Sequence, residues 1–315
     1  MENTFSLGTE ALEVRLLLPD SEPESERFDS CCRVEQVILH GKHRFCQPEQ
    51  KNSDRATCWG VGLCSEFDMN DIAVQARTGE LFPKPGVGLL RQICDGKPYD
   101  MWSHYQIQRF AKTWRHGRNW IEFEETPKVC MGVAARIFKR LTVFHNTLTI
   151  STTVVNEGSI PLEFSEYQHN FLALDDLPIG EGYCLELPYD GTIGELPQCF
   201  RNVNDYSPAD TSCVDVEGQV IHWNRSMDGY AYHKITEAGQ ILPLPMYRWT
   251  LFHESNPARV SEICHFQPWK IVLWGIEHCI CPEIYARISA MPGKHCHFSR
   301  TWVFEDECTN QIKRC

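Results

Sequence analysis

The sequence predicts an all-β protein, a sandwich of many short strands with few short helices. Three observations carry the prediction. Between Thr147 and Leu174 the chain begins with strict alternation, Leu148, Ile150, Thr152 and Val154 on one side and Thr147, Thr149, Ser151 and Thr153 on the other. Gly, Pro, Asn and Asp clusters punctuate the rest at short intervals. No segment sustains the 3.6-residue apolar period of an amphipathic helix.

In chain order, Leu12 to Leu18 alternates weakly ahead of an acidic turn at Asp20 to Glu26. Cys32 to Leu39 alternates again and closes on His40-Gly41-Lys42-His43, a hairpin. After the polar loop Gln47 to Arg55, Gly60 and Gly62 let the backbone approach a ligand or another strand. No helix-opening GxGxxG follows, which removes a dinucleotide site. Phe82 to Arg91 is Gly-rich and reads as irregular, with Pro83 and Pro85 excluding helix. Tyr99 to Glu125 is rich in aromatic rings, which belong mostly to a core although such faces also stack on sugars. Cys130 to Val143 reads as a strand pair leading into Thr147.

Asn156-Glu157-Gly158-Ser159 supplies turn chemistry, Ile160 to Tyr167 returns, and the exit of that hairpin carries His169. Further short strands are predicted at Leu185 to Pro188, Val214 to Trp223, Ala231 to Ile235, Tyr247 to Phe252, Ile271 to Trp274, Cys279 to Cys281, Ile284 to Ala290 and Trp302 to Phe304. With no repeat and no clear linker, residues 1–315 are expected to form a single domain.

A formal charge of −12 argues against a nucleic-acid or anionic-membrane partner, since both need a basic footprint. The stretch MENTFSLGTEALEVRLLLPD lacks the basic region and apolar core of a signal peptide, and no stretch approaches a membrane span. A soluble, cytoplasmic protein is expected. Sixteen scattered cysteines without an export signal read as reduced thiols, mostly small core fillers.

Two stretches carry chemistry. His169 emerges from the central hairpin beside Tyr167, Asn170 and Phe171, and an imidazole there can pass a proton to a ligand at neutral pH. Glu283 follows Cys279-Ile280-Cys281-Pro282 at the end of an apolar strand, where partial desolvation favours a useful base.

The Thr-rich strand, Asn-x-Gly turn, second strand and His-x-Phe together resemble the central motif of the aldose 1-epimerase (galactose mutarotase) family. The late strand ending in Glu283, the turn Met291-Pro292-Gly293 and the strand Thr301 to Phe304 resemble that family's closing segments in order and distance. The resemblance covers Arg27 to Phe304 in outline and is specific at the His169 and Glu283 stretches. It implies a galactose mutarotase-like supersandwich and interconversion of the α and β anomers of a monosaccharide without cofactor or metal. His169 would be the catalytic acid, donating to the ring oxygen while Glu283 takes the anomeric proton.

The first half departs from the family. Val87-Gly88-Leu89-Leu90-Arg91 stands where the hexose-phosphate branch has His-Gly-Phe-Ala-Arg, and Cys64, Ser65 and Glu66 stand where classical members carry an arginine. A divergent branch is implied, with Arg91 and Glu66 as substrate contacts, then Tyr105 and His104, and Asp228 in the place of the family's aspartate. The sequence names neither the sugar nor the oligomeric state.

Three other readings compete. His278-Cys279-Ile280-Cys281 and His295-Cys296-His297 offer metal ligands two apart, but a zinc site needs both pairs to converge, and no metal is expected. A glycoside hydrolase needs a second carboxylate about 5 to 10 Å from Glu283, for which the sequence offers no partner. A carbohydrate-binding protein without turnover would keep the sandwich and the cleft.

Overall fold

In the computed structural model of the chain, the residues described are 4–19, 25–51, 59–68, 70–187, 213–227, 230–236 and 246–306. Among them, strands form open sheets of nine, ten and three. The first sheet runs Thr4–Gly8, Leu12–Leu17, Arg33–Leu39, Leu63–Asp68, Leu162–Asn170, Cys279–Ala290, Lys270–Ile276, Tyr230–Thr236, with His43–Arg44 beside Arg33–Leu39. The second runs Val214–Glu217, Val220–Trp223, Tyr183–Glu186, Tyr247–His253, Asn256–Cys264, His295–Glu305, Thr147–Asn156, Ala135–Phe144, Trp120–Thr126, Ala111–His116. Helix is confined among the described residues to the single turn Asn70–Ala73. No helix among them is long and apolar enough to cross a membrane.

The alternation of Thr147–Asn156 becomes alternating burial, with Leu148, Ile150, Thr152 and Val154 facing inward. One core cluster draws Val14, Val37 and Leu39 from the first sheet and Leu141, Leu148 and Trp302 from the second, so each sheet covers the other's apolar face. Trp302 is fully buried, and its indole N–H donates to Asn170 Oδ1 at 2.9 Å, tying the two sheets together behind the central hairpin. The described cysteines are free thiols and most are buried.

Five expectations need correction. Cys130 to Val143 is not a strand pair: after the isolated bridge of Cys130 and Val133, Ala135–Phe144 is one strand. The returning strand is Leu162–Asn170, so His169 stands inside the sheet, not at the exit of the hairpin. Cys279–Ala290 is one twelve-residue strand that continues through Pro282 and Glu283, which places Glu283 in its interior. Phe82 to Arg91 is not irregular: Leu81–Lys84 and Gly88–Arg91 pair as a hairpin, turning through Gly86 at φ +81°, and Ile107–Arg109 adds the third strand. Asn256–Cys264 was hidden by Pro257 and by charges at Arg259 and Glu262, yet it pairs with strands on both sides.

Gly60 and Gly62 admit close neighbours, as expected. A Cβ at Gly60 would enter the Phe171 ring, and one at Gly62, whose φ is +54°, would strike the Val34 carbonyl oxygen. Gly62→Ala is therefore expected to cost more than about 1 kcal/mol in urea unfolding. An unchanged midpoint would show that the backbone here is free to move.

Candidate active site

Three neighbouring strands build the site. Leu63–Asp68 pairs with Leu162–Asn170 in a register that sets Tyr167 opposite Glu66 and His169 opposite Cys64. Leu162–Asn170 pairs in turn with Cys279–Ala290, Tyr167 opposite Tyr285. Because strand side chains alternate, Cys64, Glu66, Tyr167, His169, Cys281, Glu283 and Tyr285 share one face, while Asn170 turns to the other and meets Trp302.

On that face the imidazole is held at both nitrogens. His169 Nδ1 lies 2.9 Å from Glu283 Oε1 and Nε2 lies 3.3 Å from Glu66 Oε2. Arg27 reaches in from the loop before the first sheet's long strands, its Nε on Glu66 Oε2 at 2.8 Å and its Nη1 on Glu49 Oε1 at 3.1 Å. Lys84 Nζ binds Glu66 Oε1 at 3.2 Å, and the Tyr167 hydroxyl donates to Glu66 Oε2 at 2.9 Å. The amide of Gly60 donates to Glu49 Oε2 at 2.7 Å. Phe171 stacks on the imidazole and Phe28 meets it edge-on. His169 and Glu283 are 3% and 5% exposed, so their mutual contact is shielded from water and counts for more than a surface pair.

The charges balance when His169 is protonated: Arg27, Lys84 and His169 against Glu49, Glu66 and Glu283. Burial opposes the imidazolium, but Glu283 and then Glu66 outweigh it, so the His169 pKa is raised. Burial likewise opposes the Glu66 carboxylate, and Arg27 and Lys84 overcome it, holding that carboxyl well below its ordinary range. Burial pushes the Tyr167 and Tyr285 hydroxyls well up, so both act as neutral donors.

A pH dependence follows. With its folded pKa above the unfolded one, protonated His169 stabilises the fold fully below about pH 6.5, and that stabilisation fades as pH rises through the folded pKa. The difference in urea stability between wild type and His169→Gln is expected to be largest below about pH 6.5 and to shrink as pH rises above it. A constant difference would show that the ring does not carry the charge assigned to it.

Of the residues singled out in the sequence, the structure brings together His169, Glu283 and Glu66. Tyr105 lies one layer back, stacked on Tyr99, whose ring lies under Lys84 Nζ at 4.0 Å. His104 is exposed and pairs with Glu26 at 3.5 Å. The Arg91 guanidinium is exposed and bonds Gln106 Oε1 and the Gly79 carbonyl, with no link to His169 or Glu283. Asp228 lies outside the described residues. Arg27, Glu49, Lys84 and Tyr285 were not singled out as site residues, and Cys281 only as a member of a metal motif. Their acidic and basic members are joined only by contacts between distant parts of the chain, and the regular i+2 spacing of Cys281, Glu283 and Tyr285 was the one local signal.

The two metal motifs do not converge. His278, in the turn between Lys270–Ile276 and Cys279–Ala290 of the first sheet, bonds the Pro48 carbonyl at 2.9 Å, whereas His295, Cys296 and His297 lie on a strand of the second, with His297 on Thr153.

No protein-family model matches the sequence, and no curated protein matches it. Solved structures do match the fold. A galactose mutarotase-like protein from Lactobacillus casei ATCC 334 superposes with a TM-score of 0.55 at 9% identity, covering 96% of this chain and 100% of that one. A galactose mutarotase related enzyme from Lactobacillus acidophilus gives 0.54 at 12% identity over 96% and 97%. A galactose mutarotase-like protein from Clostridium acetobutylicum gives 0.54 at 10% identity over 96% and 95%. At such identities the likeness speaks for architecture alone, and it spans nearly the whole of each chain: the protein has a galactose mutarotase-like fold.

Proposed function

We propose that the protein is a cofactor-independent aldose 1-epimerase acting on a monosaccharide through His169 and Glu283. The observation that carries this reading is the 2.9 Å contact between His169 Nδ1 and Glu283 Oε1, an imidazole and a carboxylate facing each other on one sheet face with the imidazolium favoured. A sugar entering here takes the place of that contact. Glu283 removes the anomeric hydroxyl proton while His169 donates its Nδ1 proton to the ring oxygen, and the C1–O5 bond opens. Rotation about C1–C2 and closure with the roles reversed gives the other anomer. Throughout, Glu66 Oε2, closer to Nε2 at 3.3 Å than Arg27 Nη2 at 3.5 Å, accepts from that nitrogen and keeps the neutral ring in the tautomer that can take its proton back at Nδ1.

A glycoside hydrolase fits less well. It needs a carboxyl that stays protonated as the acid, and Glu66, the carboxylate across the imidazole from Glu283, is kept ionised by Arg27 and Lys84. Carbohydrate binding without turnover is favoured by one observation, that His169 and Glu283 are buried and already satisfy each other.

Exchange spectroscopy of the anomeric protons, across free hexoses, pentoses, deoxy and acidic sugars and sugar phosphates, separates the two. Cross-peaks that grow with protein concentration support the epimerase. Saturable binding with no added exchange for any sugar would replace it with the binding protein.

A further inference from the structure

We infer that Cys281 Sγ, His169 Nδ1 and Glu283 Oε1 form a binding site for a thiophilic divalent cation of the zinc class. The site stands on its own geometry, and only its consequence for turnover rests on the epimerase reading. The three donor atoms are 4.0 Å (Sγ to Nδ1), 3.7 Å (Sγ to Oε1) and 2.9 Å (Nδ1 to Oε1) apart. A circle through them has a radius of about 2.1 Å, so an ion near its centre lies within ordinary zinc bonding range of all three. Tetrahedral zinc asks for edges of about 3.4 to 3.6 Å between such donors, which a few tenths of an ångström of side-chain adjustment supplies. Thiolate, imidazole and carboxylate together suit zinc better than magnesium or calcium, which prefer all-oxygen shells. Three protein donors leave a fourth position for water.

What lifts this above chance proximity is that each donor already has the outer partner a metal ligand requires. His169 Nε2 faces Glu66 Oε2 at 3.3 Å, a carboxylate, imidazole and metal arrangement. The Tyr285 hydroxyl approaches Glu283 Oε2 at 3.5 Å, leaving Oε1 for the ion. Cys281 Sγ accepts the backbone N–H of Asn170 at 3.1 Å. That last bond has a local cause. The bridge Leu172 to Ile280 continues the register of Tyr167 and Tyr285, which sets Asn170 opposite Pro282. Proline has no N–H to return, and the Pro282 carbonyl is taken by Asn170 Nδ2 at 2.7 Å. The Asn170 amide is thereby turned onto the thiol, where its N–H offsets part of what burial and the Glu283 charge do to push the Cys281 thiol well up; the ion itself supplies the rest.

Charge fits as well. Binding exchanges two protons, one from the imidazolium and one from the thiol, for a doubly charged ion, so the site stays neutral. Arg27 and Lys84 remain matched by Glu49 and Glu66. An ion held this way occupies both groups assigned to proton transfer, and zinc would block anomer exchange.

The test uses the full chain, metal-free and with its thiols reduced, titrated with Co2+ as a spectroscopic probe. One equivalent of Co2+ is expected to give tetrahedral visible bands and a near-ultraviolet thiolate-to-cobalt band, both displaced by Zn2+. Cys281→Ala, checked for folding by near-ultraviolet circular dichroism, should lose the thiolate band and weaken binding at least about 100-fold. Glu283→Gln should weaken it without removing that band, which keeps the question answerable if Cys281→Ala does not fold. Cys184→Ser should change nothing; this variant removes the thiol from the other set of donors within 4.8 Å of one another among the described residues, Cys184, His222 and Glu254. No stoichiometric band in wild type, a full band in folded Cys281→Ala, undiminished Co2+ affinity in Glu283→Gln, or loss of the band in Cys184→Ser would each overturn the site. The titration needs no turnover, so it stands or falls apart from the epimerase reading; if that reading holds, saturating Zn2+ should stop exchange and a chelator should restore it.

Discussion

Glu283→Gln is expected to lower the protein-catalysed rate of anomer exchange by about 10²- to 10⁴-fold, the range over which a positioned acid or base contributes. The substitution keeps the shape of the side chain and its place in a strand held on both sides, by Leu162–Asn170 and by Lys270–Ile276. It removes the anion that accepts the anomeric proton, and with it the strongest attraction favouring the His169 imidazolium. Both halves of the acid/base pair are therefore weakened by one change. Exchange spectroscopy reads the rate, and near-ultraviolet circular dichroism reads the fold. A folded variant that interconverts anomers at the wild-type rate would remove Glu283 from the mechanism.

Arg300→Met is expected to cost about 3 to 5 kcal/mol of stability, a large share of what a folded domain possesses. Arg300 is 2% exposed and lies between two buried carboxylates, donating to Glu262 Oε1 at 2.9 Å and Glu166 Oε2 at 2.7 Å, with a further bond to the Ile284 carbonyl at 2.8 Å. Removing the guanidinium leaves both anions in the interior with too few donors. Glu262 also accepts from Trp249 Nε1 and Asn170 Nδ2, so the disturbance passes to the residue next to His169. Adding Glu166→Gln to Arg300→Met should recover part of the loss, since one uncompensated charge disappears. Urea unfolding of the single and double variants measures this, and a single variant within about 1 kcal/mol of wild type would mean that water reaches the carboxylates.

The strands that were legible in the sequence are those with one wet and one dry face. Thr147–Asn156 declares itself because from Leu148 to Val154 each inward residue is apolar or a threonine and each outward one is less buried. The boundary of Leu162–Asn170 was missed because Gln168, His169 and Asn170 are polar yet buried, and polar residues read as a strand's end. The interior position of Glu283 was masked by Pro282 for the same kind of reason: a proline stops a ladder unless a side chain replaces the missing partner, and Asn170 does so. His169 and Glu283 were recognisable as chemistry-bearing types at the mouths of apolar segments. Their partners were not, because Glu66 collects Arg27 and Lys84 from 39 and 18 residues away, and ion pairs closed by tertiary folding leave no period in the sequence.

The proline in the middle of the Cys279–Ala290 strand also acts as a peg against sliding. A shift of one residue would turn Cys281 and Glu283 to the Trp302 side of the sheet. A shift of two would keep them facing the right way, but it would carry the donor-less proline away from the one side chain shaped to cover for it. Only one alignment of the two strands satisfies both conditions, so the imidazole and the carboxylate meet in the same place every time the chain folds.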